Sequence, residues 1–155
     1  MRDKRWFPVV VLAVGLFAIN AVSRLVIRLA FHRSDAAETR AAIVMFSIIG
    51  VVLAVVTFLR AQQVAPGRWL PEVGWGAVGG MLLTVLVGPF ISGQAPFSGG
   101  AGIFFSQIWL YGGFAILGIL LGYWIVTALG RDYRSKALTA YARTRAAKPR
   151  KVVRR

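Results

Sequence analysis

Residues 73–130 read VGWGAVGGMLLTVLVGPFISGQAPFSGGAGIFFSQIWLYGGFAILGILLGYWIVTALG and contain no Asp, Glu, Lys or Arg. A helix needs roughly 20 apolar residues to cross the core of a bilayer. This uncharged run of 58 residues is long enough for two such crossings and a connection. The connection is legible as Ser92-Gly93-Gln94-Ala95-Pro96-Phe97-Ser98-Gly99-Gly100-Ala101-Gly102, where Gly, Pro and Ser make turns and break helices. The run therefore predicts spans over about 71–91 and 103–129, joined by an uncharged external loop, with a short re-entrant segment as the alternative.

Two further spans precede these. Residues 6–23 and 41–59 are free of Asp, Glu, Lys and Arg, and each is long enough to cross. The apolar residues run continuously and do not alternate, which argues for helices over a barrel. The expected fold class is an all-α membrane protein, a four-helix transmembrane bundle over 1–130. A basic, partly helical cytoplasmic tail should follow over 131–155. Asp35, with Glu38 three residues later, has the pattern of an N-cap and its partner before the second span. Pro71-Glu72 suits the first turn of the third helix. Pro149 should end any helix in the tail. Arg2, Lys4 and Arg5 before the first span resemble a signal-peptide n-region. Ala21-Val22-Ser23 matches a cleavage site poorly, so the segment is expected to stay as an anchor.

Outside the spans the chain is strongly basic, with 19 Lys and Arg against 5 Asp and Glu, a net charge of +14. Apolar residues are 57% of the chain, too many for a disordered segment. With no Cys and a single His, a disulfide scaffold, a thiol nucleophile and a Cys-ligated or multi-His metal site are excluded. The basic residues fall unevenly. Fifteen lie at the amino terminus, in the 60–70 connection and in the tail, against four (Arg24, Arg28, Arg33 and Arg40) on the opposite side. Cytoplasmic loops carry the Lys/Arg excess, which places both termini in the cytoplasm of a multi-pass cell-membrane protein. Trp6, Trp69, Trp75 and Trp124 are expected near the inner interface and Trp109 near the outer one. The preference for Arg (15) over Lys (4) suggests a GC-rich bacterial source.

Several groups recur at four-residue spacing, which stacks them on one helix face. Gly76, Gly80, Thr84 and Gly88 form a small-residue ridge on the third span, Gly118 and Gly122 one on the fourth, and Gly50 and Ala54 one on the second. Such ridges let helices approach closely, either within one bundle or between membrane subunits. Asn20, Arg24, Arg28 and His32 form a polar stripe at the end of the first span. It can snorkel to headgroups, or it can contact an anion or an acidic partner. His32, Ser34 and Asp35 are sequence neighbours in a turn and do not read as a hydrolytic triad. Asp3 and Asp132 read as solvated partners of nearby bases. Arg131, Arg134, Lys136, Arg143, Arg145, Lys148, Arg150, Lys151, Arg154 and Arg155 are expected to contact anionic lipid. Nucleic acid is a poor fit, because the tail offers two Tyr and no recognition module.

No Walker loop, dinucleotide fingerprint, metalloprotease helix or nucleophile elbow is present. No cofactor is expected and no enzymatic role is expected. The reading that follows is a non-enzymatic accessory or scaffold subunit of a membrane assembly, with the lipid bilayer and another membrane protein, or a second copy, as partners. The alternative is a small solute or ion transporter or channel acting as an oligomer, with Asn20, Arg24, Thr84 and Gln107 as its polar path.

Overall fold

A computed structural model describes residues 6–30, 35–91, 93 and 100–147, with the side chains of 27–30, 35–39 and 147 outside that description. The described secondary structure is helical throughout: α1 (Phe7–Ala30), α2 (Asp35–Gln63), α3 (Pro66–Leu82), a π-helical segment (Leu83–Val87), α4 (Gly88–Ile91), α5 (Gly100–Ala128) and α6 (Tyr133–Ala147). Four helical stretches are long and apolar enough to cross a membrane. The third is α3 continued through the π-helical segment into α4, 26 residues in all, or about 39 Å at ~1.5 Å per residue.

The helices outrun the uncharged windows that announce them, because a charge does not end a helix. The second helix begins at Asp35, where the sequence places a cap; the side chains of Asp35 and Glu38 lie outside the described residues. The third begins at Pro66, five residues before the expected Pro71. Ala65 is extended at φ −60°, ψ 147°, the conformation that a following proline favours. Pro66 then occupies the first turn, where its missing N–H costs no helical bond. Pro71 lies inside α3 and leaves the Gly67 carbonyl without its usual i+4 donor. The uncharged connection is also shorter than expected, since α4 ends at Ile91 and α5 starts at Gly100, with 94–99 outside the described residues.

Packing is tightest between helices that run in the same direction. A Cβ built on Gly118 would overlap the carbonyl of Gly50, and one on Gly122 would overlap that of Ala54. So α2 and α5 meet backbone to backbone, with the partners 68 positions apart at both contacts. On the other side α3 lies against α1. A Cβ on Gly76 would sit 2.6 Å from Leu12 Cδ2, and one on Gly80 would sit 3.0 Å from Leu16 Cβ. Both contacts keep an offset of 64. The small-residue ridges are thus used within this one chain. Leu16, Ile49, Leu53 and Val126 are completely buried between the helices. Outward positions such as Val10, Val51, Ile116, Leu117 and Leu121 are apolar and exposed. A helix that is apolar on every side, as α5 is, suits a lipid surround.

The two kinds of glycine on α5 give a clean test. Gly118→Ala forces α2 and α5 apart and should lower the unfolding free energy in mild detergent by about 1–3 kcal/mol, the usual cost of overpacking. Nothing lies within 4 Å of a Cβ on Gly113, so Gly113→Ala should leave the transition in place.

Candidate functional site

The α1–α3 contact changes character along its length. Its first two steps pair Leu12 with Gly76 and Leu16 with Gly80. The same offset then brings Asn20 opposite Thr84 and Arg24 opposite Gly88. Asn20 is 0% exposed and Thr84 is 1% exposed. Arg24 donates its Nε–H to Asn20 Oδ1 at 2.9 Å. A Cβ on Gly88 would lie 3.1 Å from Asn20 Oδ1, 3.2 Å from Arg24 Nε and 3.4 Å from Arg24 Cζ. The guanidinium therefore rests on bare backbone, and the absence of a side chain at 88 makes room for the pair.

Tyr111 of α5 closes the other end of this seam. It is 1% exposed, and its hydroxyl would lie 2.7 Å from a Cβ on Gly80. Asn20 Nδ2, Thr84 Oγ1 and the Tyr111 hydroxyl are all buried without a hydrogen-bond partner among the described residues. Each such group costs about 1–3 kcal/mol if it stays unpaired. Thr84 sits inside the π-helical segment, and the wide turn is confirmed by the bond from Gly88 N to Leu83 O. Single π turns inside α-helices occur frequently at functional sites. Arg24 is half-buried, so the seam reaches the protein surface at that residue.

The opposite end of the bundle carries a second group of polar contacts. The start of α1, the end of α2 and the start of α3 meet around Pro8, Val56, Arg60 and Glu72. Arg60 Nη1 lies 3.7 Å from Glu72 Oε2, an ion pair too long for a hydrogen bond. Trp69 is buried and tilts against Tyr123, with ring centroids 5.9 Å apart. Trp6, Trp75, Trp109 and Trp124 are exposed. An open apolar groove of about 560 Å³ runs between α1 and α2, floored by Leu12, Gly15 and Leu16.

The basic helix leaves this same end. Gly130, at φ 61°, takes the left-handed conformation that glycine adopts readily. Gly130 N donates to Thr127 O and Arg131 N donates to Val126 O, closing α5 with a Schellman turn. Asp132 then caps α6. It accepts from Ser135 N at 3.3 Å and from the Ser135 hydroxyl. Asp132 is thus a buried helix cap and not the solvated partner the sequence suggests. Lys136 Nζ donates to Gln62 O at 3.3 Å, tying α6 to the end of α2. Arg131, Arg134, Lys136, Arg143 and Arg145 are exposed, and Arg145 lies over the Tyr141 ring at 5.6 Å. Lys148, Arg150, Lys151, Arg154 and Arg155 lie outside the described residues.

Of the expected polar stripe, the structure joins Asn20 to Arg24. His32 and the side chain of Arg28 lie outside the described residues. Gln107 is half-buried on α5. Tyr111 was not among the expected site residues. Its one signal was a phenol amid an apolar span, one of two there with Tyr123. Thr57 is a further buried hydroxyl without a described partner, away from the α3 ridge. No group of three or more His, Cys, Asp or Glu able to hold a metal occurs among the described residues. Comparison with known protein families, curated proteins and solved structures finds no match to this chain.

The capping geometry sets a pH response. The Ser135 hydroxyl hydrogen bond holds the Asp132 carboxyl below its ordinary value, outweighing desolvation, with backbone bonds adding to the effect. A lowered folded-state pKa gives stability that is present above the unfolded value and is lost as pH falls through the folded one. Protection of the 133–136 amides, taken against the intrinsic exchange rate at each pH, should therefore fall under acid conditions. Asp132→Ala should show that loss of protection already at neutral pH.

Proposed function

We propose that the chain is a non-enzymatic accessory or scaffold subunit of a membrane assembly, embedded in the cell membrane by four spans with both termini in the cytoplasm. The observation that carries this reading is α6. The small-residue ridges are consumed inside the bundle and the outer wall is apolar, so α6 is the main polar surface offered to a partner. It is capped, tied to α2 and exposed along nearly its whole length. Tyr133, Ala137 and Tyr141 share one face, which suits the headgroup layer of an anionic leaflet. Its bases then meet lipid phosphates or acidic patches on a neighbouring subunit. The charge bias along the sequence supports the inward placement of this end.

A second reading, a small transporter acting as an oligomer, draws support from the buried donors at the π-helical segment. Interrupted helices in transporters often line substrate sites. One purification in mild detergent separates the two. A stoichiometric membrane partner, lost when Arg134, Arg143 and Arg145 are replaced by Gln, is the expected result. A homo-oligomer carrying a bound solute, unchanged by those substitutions, favours the second.

The orientation has its own measurement. The chain has no native Cys, so single cysteines report cleanly. In intact cells an impermeant thiol reagent should label Ser34→Cys and Ser98→Cys and leave Ser135→Cys unlabelled. Strong labelling at 135 reverses the orientation.

A further inference from the structure

We propose that the groove between α1 and α2 binds one anionic glycerophospholipid, with an acyl chain lying over Gly15 and the phosphate at Arg60. The inference rests on the chain being embedded in a membrane and is independent of the accessory-subunit role.

The length of the groove selects a lipid over a helix. It runs from Phe7 to Leu16 on α1 and from Val52 to Gln63 on α2. At ~1.5 Å per residue these stretches are about 14 Å and about 16 Å long. A bilayer core is about 30 Å thick, so the groove covers about the depth of one leaflet. A partner helix crossing the core would need a face about twice as long. Gly15 gives the groove its depth, since nothing lies within 4 Å of a Cβ built there.

The two ends of the groove differ as the two ends of a lipid do. The deep end, at Gly15, Leu16 and Val52, is apolar; the other carries Arg60 and Gln63. Trp6, exposed and next to Phe7, suits the headgroup level at that end. The Arg60 side chain is 38% exposed, and its Nη1 lies 3.7 Å from Glu72 Oε2, beyond hydrogen-bond length. Glu72 lines the adjoining small pocket, and no acid lines the groove itself. Of the other four acids, Asp35 and Glu38 begin α2 at the far end of the bundle, and Asp132 is committed to Ser135. Asp3 lies outside the described residues, in a stretch of sequence that also holds Arg2, Lys4 and Arg5. Lys136, bonded to Gln62 O, adds a base at the end of α2. Guanidinium groups bind phosphate oxygens through charged hydrogen bonds. The surplus of bases favours an anionic headgroup over one that brings its own ammonium.

The test uses the full chain, taken from membranes in mild detergent and equilibrated with mixed phosphatidylcholine and phosphatidylglycerol. It is washed at high salt to strip contacts made by charge alone, and its retained lipid is counted by native mass spectrometry. Gly15→Leu fills the groove, and the open space around that Cβ lets the bundle keep its packing. Val11→Phe narrows the groove from its exposed rim. Arg60→Gln removes the cation at the mouth. Combined Arg134→Gln, Arg143→Gln and Arg145→Gln is the control, which strips bases from α6 and leaves the groove intact. The thermal transition of each variant reports its fold.

The wild type should retain one phospholipid, enriched in phosphatidylglycerol over the supplied mixture. Gly15→Leu and Val11→Phe should lose it. Arg60→Gln should lower the preference for phosphatidylglycerol by about ten-fold or more, as loss of a charged hydrogen bond would. The α6 control should keep both lipid and preference. If either groove-filling variant fails to fold, the other decides together with Arg60→Gln. Wild-type retention by a folded Gly15→Leu or Val11→Phe overturns the proposal, as does a wild type that keeps no lipid or a preference that Arg60→Gln leaves unchanged. Loss of the lipid in the α6 control assigns it to α6 and overturns the groove. A dimer of this chain that Gly15→Leu dissociates gives the groove to a second copy and overturns the lipid. A chain that leaves the membrane fraction without detergent defeats the membrane reading before any lipid is counted, so the two failures are distinct.

Discussion

Everything in this bundle depends on how closely two helix backbones can approach. Helices this apolar suit a lipid surround, where there is little hydrophobic drive between them, since a lipid tail is as apolar as leucine, and dispersion at short range has to supply the attraction. A side chain at the contact would hold the axes apart and forfeit much of it. Gly118 and Gly122 remove that obstacle on α5, and the carbonyls of Gly50 and Ala54 move into the space. Glycines on α3 do the same for the flat flanks of Leu12 and Leu16. The two close contacts join helices that are not neighbours in sequence. The connections therefore follow the packing and do not create it.

That arrangement explains what could be read in advance. The number of long apolar helices and their order were legible because charge is excluded from long stretches, a signal that needs no knowledge of contacts. The small-residue ridges were legible as faces, since four-residue spacing fixes a face of a helix. Their partners were not. Gly50 and Gly118 are 68 residues apart, and nothing local links them. Helix starts were harder for a different reason. Pro66 and Pro71 carry the same local signal for a first turn, and only the chain's path from α2 selects the earlier one. Asp132 misled because its neighbours are basic and look like ion partners, whereas the Gly130 turn directs its carboxylate to the amides of the next helix.

The site shows the same division. Asn20 and Arg24 could be recognised as one stripe, because the information lies within a single helix. That Thr84 faces them required the α1–α3 register. That Tyr111 joins the seam required a third helix. The π-helical segment has no local sequence signal of its own here, since Leu83–Val87 is ordinary apolar sequence. Its wide turn falls where the ridge passes from glycines against leucines to polar groups against polar groups.

That transition gives the seam a structural consequence as well as a chemical one. An apolar helix pair with glycines every four residues has several nearly equivalent registers, one turn apart. A slip by one turn here would place Leu16 against Thr84 and Asn20 against Gly88, and would move Arg24 past the bare backbone that accommodates it. The Thr84 hydroxyl would then face a leucine side chain and the Asn20 amide a glycine, neither of which can pair with it. A single buried polar residue sets register in coiled coils at some expense in stability, and the same physics applies to this pair. The apolar contacts of α1 and α3 hold the two helices together, while Asn20, Arg24 and Thr84 select one alignment from those contacts.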